Sequence, residues 1–208
     1  MKKFLIILIL GFFSYAESSD IEDFEIEGIS IGDSLLDYFE ESEIIKKFYY
    51  NNKKYFSFGS AKYKSENYDG VQFHVKNNDK KYKIVAIEGM KAFENKNFNE
   101  CLKLKDEIVK DILKDLDNPN VDTDTGKHNY DSSGNSKYYR TSISLSSKAK
   151  YFNLSISCTD WSKELEPQFA DKLAVSISNN EFNKRPYEMP ANKFTAYDYD
   201  TSNYPSNI

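Results

Sequence analysis

The sequence predicts an α+β fold, an antiparallel sheet of about six strands with two main helices, and three observations carry that reading. From Phe98 to Leu116 the apolar residues Phe98, Cys101, Leu102, Ile108, Val109, Ile112, Leu113 and Leu116 recur at helical spacing, with Asp106, Glu107, Lys110 and Asp111 mostly opposite. Three short segments of alternating polarity precede this helix and three follow it. The two cysteines then tie helix to sheet. Cys101 lies on the apolar helix face, and Cys158 shares one side of a strand with Phe152, Leu154 and Ile156, opposite Asn153, Ser155 and Ser157.

The first residues have the three parts of a secretory signal: Met1-Lys2-Lys3, an apolar run at 4–13, and small residues at Ser14 and Ala16. The run is about half of the ~20 residues a bilayer crossing needs, so cleavage after Ala16 is expected and the mature chain should not span a membrane. No cysteine follows the run to carry a lipid. Export to a periplasm or the exterior makes a Cys101–Cys158 bond the expected state of the two thiols. Cleavage takes the formal charge from -5 to -7, because Lys2 and Lys3 leave.

Residues 17–43 hold eleven acids and no Lys or Arg, and 44–96 hold twelve lysines against five acids. The lysines read as a solvated sheet face, and nothing resembles a nucleic-acid footprint. Within the acidic lead, Phe24 and Ile26, then Ile29 and Ile31, form an extended segment broken at Gly28. Asp33 or Ser34 can cap a following helix with Leu35, Leu36 and Phe39 on its apolar side, and Ser42 to Ile45 suggests a second helical turn.

Strands are predicted at 55–61, 70–76 and 82–90. Val71, Phe73 and Val75 point one way, and Gln72, His74 and Lys76 point to a wet face. After the central helix, residues 117–137 read as a long loop. The last strands are 137–146, 151–161 and 172–178, with Tyr139, Thr141, Ile143 and Leu145, then Leu173, Val175 and Ile177, in alternation. One domain is expected over 17–183, readable as tandem helix-plus-three-strand halves at 24–92 and 97–183, with a flexible tail at 184–208. The halves share no clear residue identity.

Two groups of residues invite chemistry. Asp117, Asp122 and Asp124 offer oxygen ligands for calcium, but Gly126 is misplaced for an EF-hand and no glutamate ends the loop. A solvated acidic turn is the plainer reading. Gly32-Asp33-Ser34-Leu35 resembles the signature of GDSL esterases and lipases, which implies Ser34 as nucleophile with Asp124 and His128 as its partners. The chain departs from that family in spacing Asp124 and His128 as D-x-x-x-H and in lacking alternating βαβ units, so Asp33 and Ser34 read first as helix caps.

The stretch GISIGDSLLDYF at 28–39 resembles the opening of a group of exported bacterial proteins with no assigned activity. In architecture the plan is similar to the β-lactamase-inhibitor-like fold and to small outer-membrane-assembly lipoproteins, which bind proteins and catalyse nothing. The resemblance implies a non-enzymatic binding or envelope-interaction protein that needs no cofactor, its partner a protein or another envelope component.

Overall fold

A computed structural model describes residues 24–44, 47–50, 53–63, 65–93, 97–116, 118–147 and 150–184. The expected signal at 1–16, the tail from 185 and Asp117 lie outside them. The elements in order are β1 (Glu25–Ile26), β2 (Ile29–Ser30), β3 (Phe48–Tyr49), β4 (Tyr55–Ser60), β5 (Gly70–Lys76), β6 (Ile84–Ala92) and α1 (Phe98–Lys114). Then come β7 (Asn120–Lys127), β8 (Lys137–Ser147), β9 (Lys150–Asp160), α2 (Glu166–Phe169), β10 (Lys172–Asn179) and α3 (Asn180–Asn183). The fold is α+β. Strands β3 to β10 form one eight-stranded sheet in the order β3-β4-β5-β6-β10-β9-β8-β7, every neighbouring pair antiparallel.

This order is two four-stranded meanders whose last strands, β6 and β10, meet in the middle. Register sets the apolar side. Cys158, Ile156 and Leu154 of β9 lie opposite Leu173, Val175 and Ile177 of β10, and Ile177 continues through Ile87 of β6 and Phe73 of β5 to Phe58 of β4. α1 packs on β9 and β10, and the Cys101–Cys158 disulfide bonds it to β9. The same core takes in Ile26, Ile29, Leu35, Phe39 and Ile44 from the amino-terminal segment, so one layer covers both halves. Phe39 sets its ring edge-on to Phe58 and Phe73, at 5.1 and 5.5 Å between centroids.

Four expectations need correction. The sheet has eight strands, not six: β3 pairs over two residues, and the long loop at 117–137 contains β7. Among the described residues the first expected helix is a 3-10 turn over Leu35–Asp37, because Leu36 faces solvent and the chain turns away at Tyr38. Residues 41–44 form a turn, and Ile45 lies outside the described residues. Hence α1 is the only helix longer than four residues among those described, and the first half has no counterpart to it.

The expected wet face of β5 is also closed. His74 is 9% exposed and Gln72 6%. Tyr50, Tyr55, Val85, Ala86 and Phe182 form a second cluster there, and the Phe182 ring lies 4.9 Å from that of His74. Asn179 makes this possible: its side chain accepts from the Phe182 N–H and starts α3 directly after β10. In the second half the same side carries the row Ser142, Ser155, Ser176, all half-buried.

Candidate functional site

The GDSL letters are a structural joint. Ser34 Oγ accepts from the Leu36 N–H at 3.1 Å and donates to the Lys81 carbonyl at 2.7 Å. Asp37 completes a capping box at the Ser34 N–H. Asp33 accepts from the Ser30 N–H and the Tyr38 hydroxyl, and that pairing, with burial the larger cause, pushes the Tyr38 phenol well above its ordinary range. Gly32, at φ 96°, donates to the Ile84 carbonyl, and Leu35 N–H to that of Tyr82. A β-carbon at Gly32 would strain this joint. The motif therefore fastens the amino-terminal cover to the start of β6.

Asp124 and His128 are elsewhere. Register places the start of β6 at the same end of the sheet as Asn120, whereas His128 follows Lys127 at the other end of β7 and in the other half. Asp124 is held by Arg140 through two bonds of 2.8 and 2.7 Å and by the Tyr138 hydroxyl at 2.9 Å, which lowers its carboxyl pKa, the Arg140 bond leading. His128 Nδ1 accepts from the Tyr130 N–H, and its ring lies 4.3 Å from Trp161. Ser34, Asp124 and His128 are not brought together. Asp122 and Asp124 lie two apart on one side of β7, and among the described residues no group of three or more His, Cys, Asp or Glu is placed to hold a metal ion.

The end of the sheet beyond the last residue of β7 is built by a cluster around Trp161, which follows β9. Trp161 stacks on Phe169 at 4.6 Å, and Tyr130 meets both rings edge-on. Asp131 accepts from the Ser133 N–H and from the Ser136 N–H and hydroxyl, while Ser136 Oγ accepts from the Ser162 N–H. These bonds hold the Asp131 carboxyl far below its usual range. Asp171 accepts from the Trp161 N–H at 2.7 Å, but burial raises its pKa. The β7–β8 turn is thereby fixed to the loop before β10. Trp161 Nε1 and Ser162 Oγ are buried there without a hydrogen-bond partner among the described residues.

What this leaves open is the outer edge of β7. Among the described residues no strand lies beyond it, and its pairing with β8 runs without interruption from Asn120 to Lys127. His128 N–H donates to the Ser136 carbonyl. Because partners alternate along an antiparallel ladder, Val121, Thr123, Thr125 and Lys127 turn their N–H and C=O groups outward. Val121 is 41% exposed, and Asn120, Asp122, Thr123 and Thr125 are exposed as well. No proline or bulge interrupts this edge, so it has the geometry of a template for another strand. The opposite edge strand, β3, spans two residues.

No protein-family model, curated protein or solved structure matches the chain. Among the described residues no helix is long and apolar enough to cross a membrane.

Proposed function

We propose that the protein is a non-enzymatic exported binding module that engages a protein partner by adding a strand to the β7 edge. The open edge carries this reading: it offers outward backbone donors and acceptors over eight residues on a hairpin whose far end is fixed by the Trp161 cluster. The Cys101–Cys158 bond supports an oxidising compartment, periplasm or exterior. Ser34 spends its hydroxyl on a cap and on the Lys81 carbonyl, which argues against an activated nucleophile.

The test is a photo-crosslinking residue at Val121, with the exposed Leu36 as control, in mature protein mixed with envelope extract. The expected result is a protein adduct at position 121 that disappears when Thr125→Pro removes an outward donor while sparing the β7–β8 ladder. No adduct, or one that Thr125→Pro leaves intact, overturns the reading.

A further inference from the structure

We infer that the strand received by β7 is an extended segment of a different protein, with an arginine or lysine opposite Asp122 and an aliphatic or β-branched residue opposite Val121. This inference rests on the strand-addition reading above and specifies its partner. Pairing through the outward groups of Val121, Thr123 and Thr125 makes Asp122 and Asp124 members of non-hydrogen-bonded pairs, in which facing side chains come closest, about 4.5 Å between Cα atoms.

The two aspartates differ. Asp124 is an anion already bonded twice to Arg140, so a cation facing it would share the carboxylate and gain less than one facing Asp122. The exposed Asp122 side chain has no hydrogen-bond or ion-pair partner among the described residues and is open to a cation. On the other side of the strand Val121 presents an isopropyl group and Thr123 and Thr125 one methyl and one hydroxyl each, which favour short branched side chains opposite them.

A second copy of this chain fits badly. Two-fold pairing of β7 with itself must place some residue opposite its own copy, and two registers use nearly the whole strand. Centred on Thr123, the pairing sets each Asp122 against the other copy's Asp124; centred on Asp124, it sets Asp124 against itself. Like charges directly opposite one another destabilise a ladder. The net negative charge, -5 for the whole chain and -7 once Lys2 and Lys3 leave with the signal, adds repulsion between copies.

The experiment uses the mature protein and two labelled peptides, acetyl-Thr-Ser-Thr-Ser-Val-Arg-Val-amide and the same peptide with Glu for Arg, followed by fluorescence anisotropy. Antiparallel pairing sets the Arg against Asp122 and the last Val against Val121. The Arg peptide should bind about three- to tenfold more tightly than the Glu peptide, and Asp122→Lys should reverse the order. Methylating the peptide's pairing amides should abolish binding to unaltered protein, which keeps the test independent of how well any variant folds.

Equal binding of both peptides, lost on methylation, would overturn the basic partner and leave strand addition standing. Binding of neither peptide at millimolar concentration would overturn both readings. A concentration-dependent dimer abolished by Thr125→Pro would assign the edge to a second copy and overturn the inference.

Discussion

In the first half of the sheet, β4 to β6 are covered on their apolar side by a segment without an α-helix, and in the second half β8 to β10 lie beside seventeen-residue α1. The irregular cover is the more deeply seated of the two. Ile29 and Leu35 are fully buried, Ile44 nearly so, and backbone bonds from Gly32 and Leu35 pin the segment to β6 and the turn before it. Of α1 only Cys101, Lys105 and Ile112 are buried, while Phe98, Leu102, Leu104, Ile108, Val109 and Leu113 pack part-way. Lys105 even occupies a buried position, bonded to Asp106 and Thr141. The contrast teaches that regularity of the cover and its hold on the sheet are separate matters: hydrogen bonds and aromatic packing secure the first half, and a covalent bond secures the helix.

The largest effect should therefore come from removing that bond. Closing a loop of 57 residues is worth about 4 kcal/mol on the chain-entropy model. Cys101→Ser with Cys158→Ser should lose stability of that order in urea titration. Hydrogen exchange should rise first in α1 and β7 to β9, with β4 to β6 the last to open. Equal loss of protection in both halves would break the comparison.

The first-half joint should give a smaller effect. Ser34→Ala removes the cap acceptor for Leu36 and the donor to Lys81, an expected loss of about 1 kcal/mol seen as a lower urea midpoint. The same variant should cleave short-chain nitrophenyl esters at the unaltered protein's rate. A hydrolysis rate that falls with Ser34→Ala would restore the esterase reading of the GDSL letters and overturn their role as a purely structural joint.

The difference between the halves also explains which features could be read from residues alone. The Cys101–Cys158 bond was legible because each cysteine sits on a face defined by its own neighbours: helical spacing around Cys101 and period-two alternation through Phe152, Leu154, Ile156 and Cys158. β7 was not legible. Asn120, Asp122, Asp124 and Gly126 are turn formers, and a strand exposed on both faces has no apolar side to announce it, although Val121, Thr123 and Thr125 do alternate. His74 looked wet because its alternation with Val75 is local, whereas the Tyr50 hydroxyl at 2.8 Å and the Phe182 ring that bury it come from elsewhere in the chain. The 3-10 turn carried the letters of a good helix start, and its brevity is set by contacts with Tyr82 and Ile84, some fifty residues away.

The smallest predicted effect concerns the end of the second half, where acid should loosen the fixed β7–β8 turn. Burial, reinforced by the charge of Lys172 and opposed by Asp131, depresses the His128 pKa below its ordinary 6.5. The folded state thus prefers the neutral ring, and the stability this gives is present above pH 6.5 and lost as pH falls toward the depressed value. Asp131 follows the same sign lower down: its contribution is present above the ordinary carboxylate value of 3.8 and lost below it. Asp171 has the opposite sign, because burial raises its pKa, so its ionised form costs stability at neutral pH and acidification relieves the cost. Between pH 7.5 and 5.5 the melting temperature should therefore fall, less steeply in His128→Gln, and as pH drops on toward 3.8 it should fall more steeply in Asp171→Asn. A slope that neither variant changes would mean that the turn beside the open edge is not held by these groups, and the edge would lose the fixed support that distinguishes it from an ordinary exposed strand.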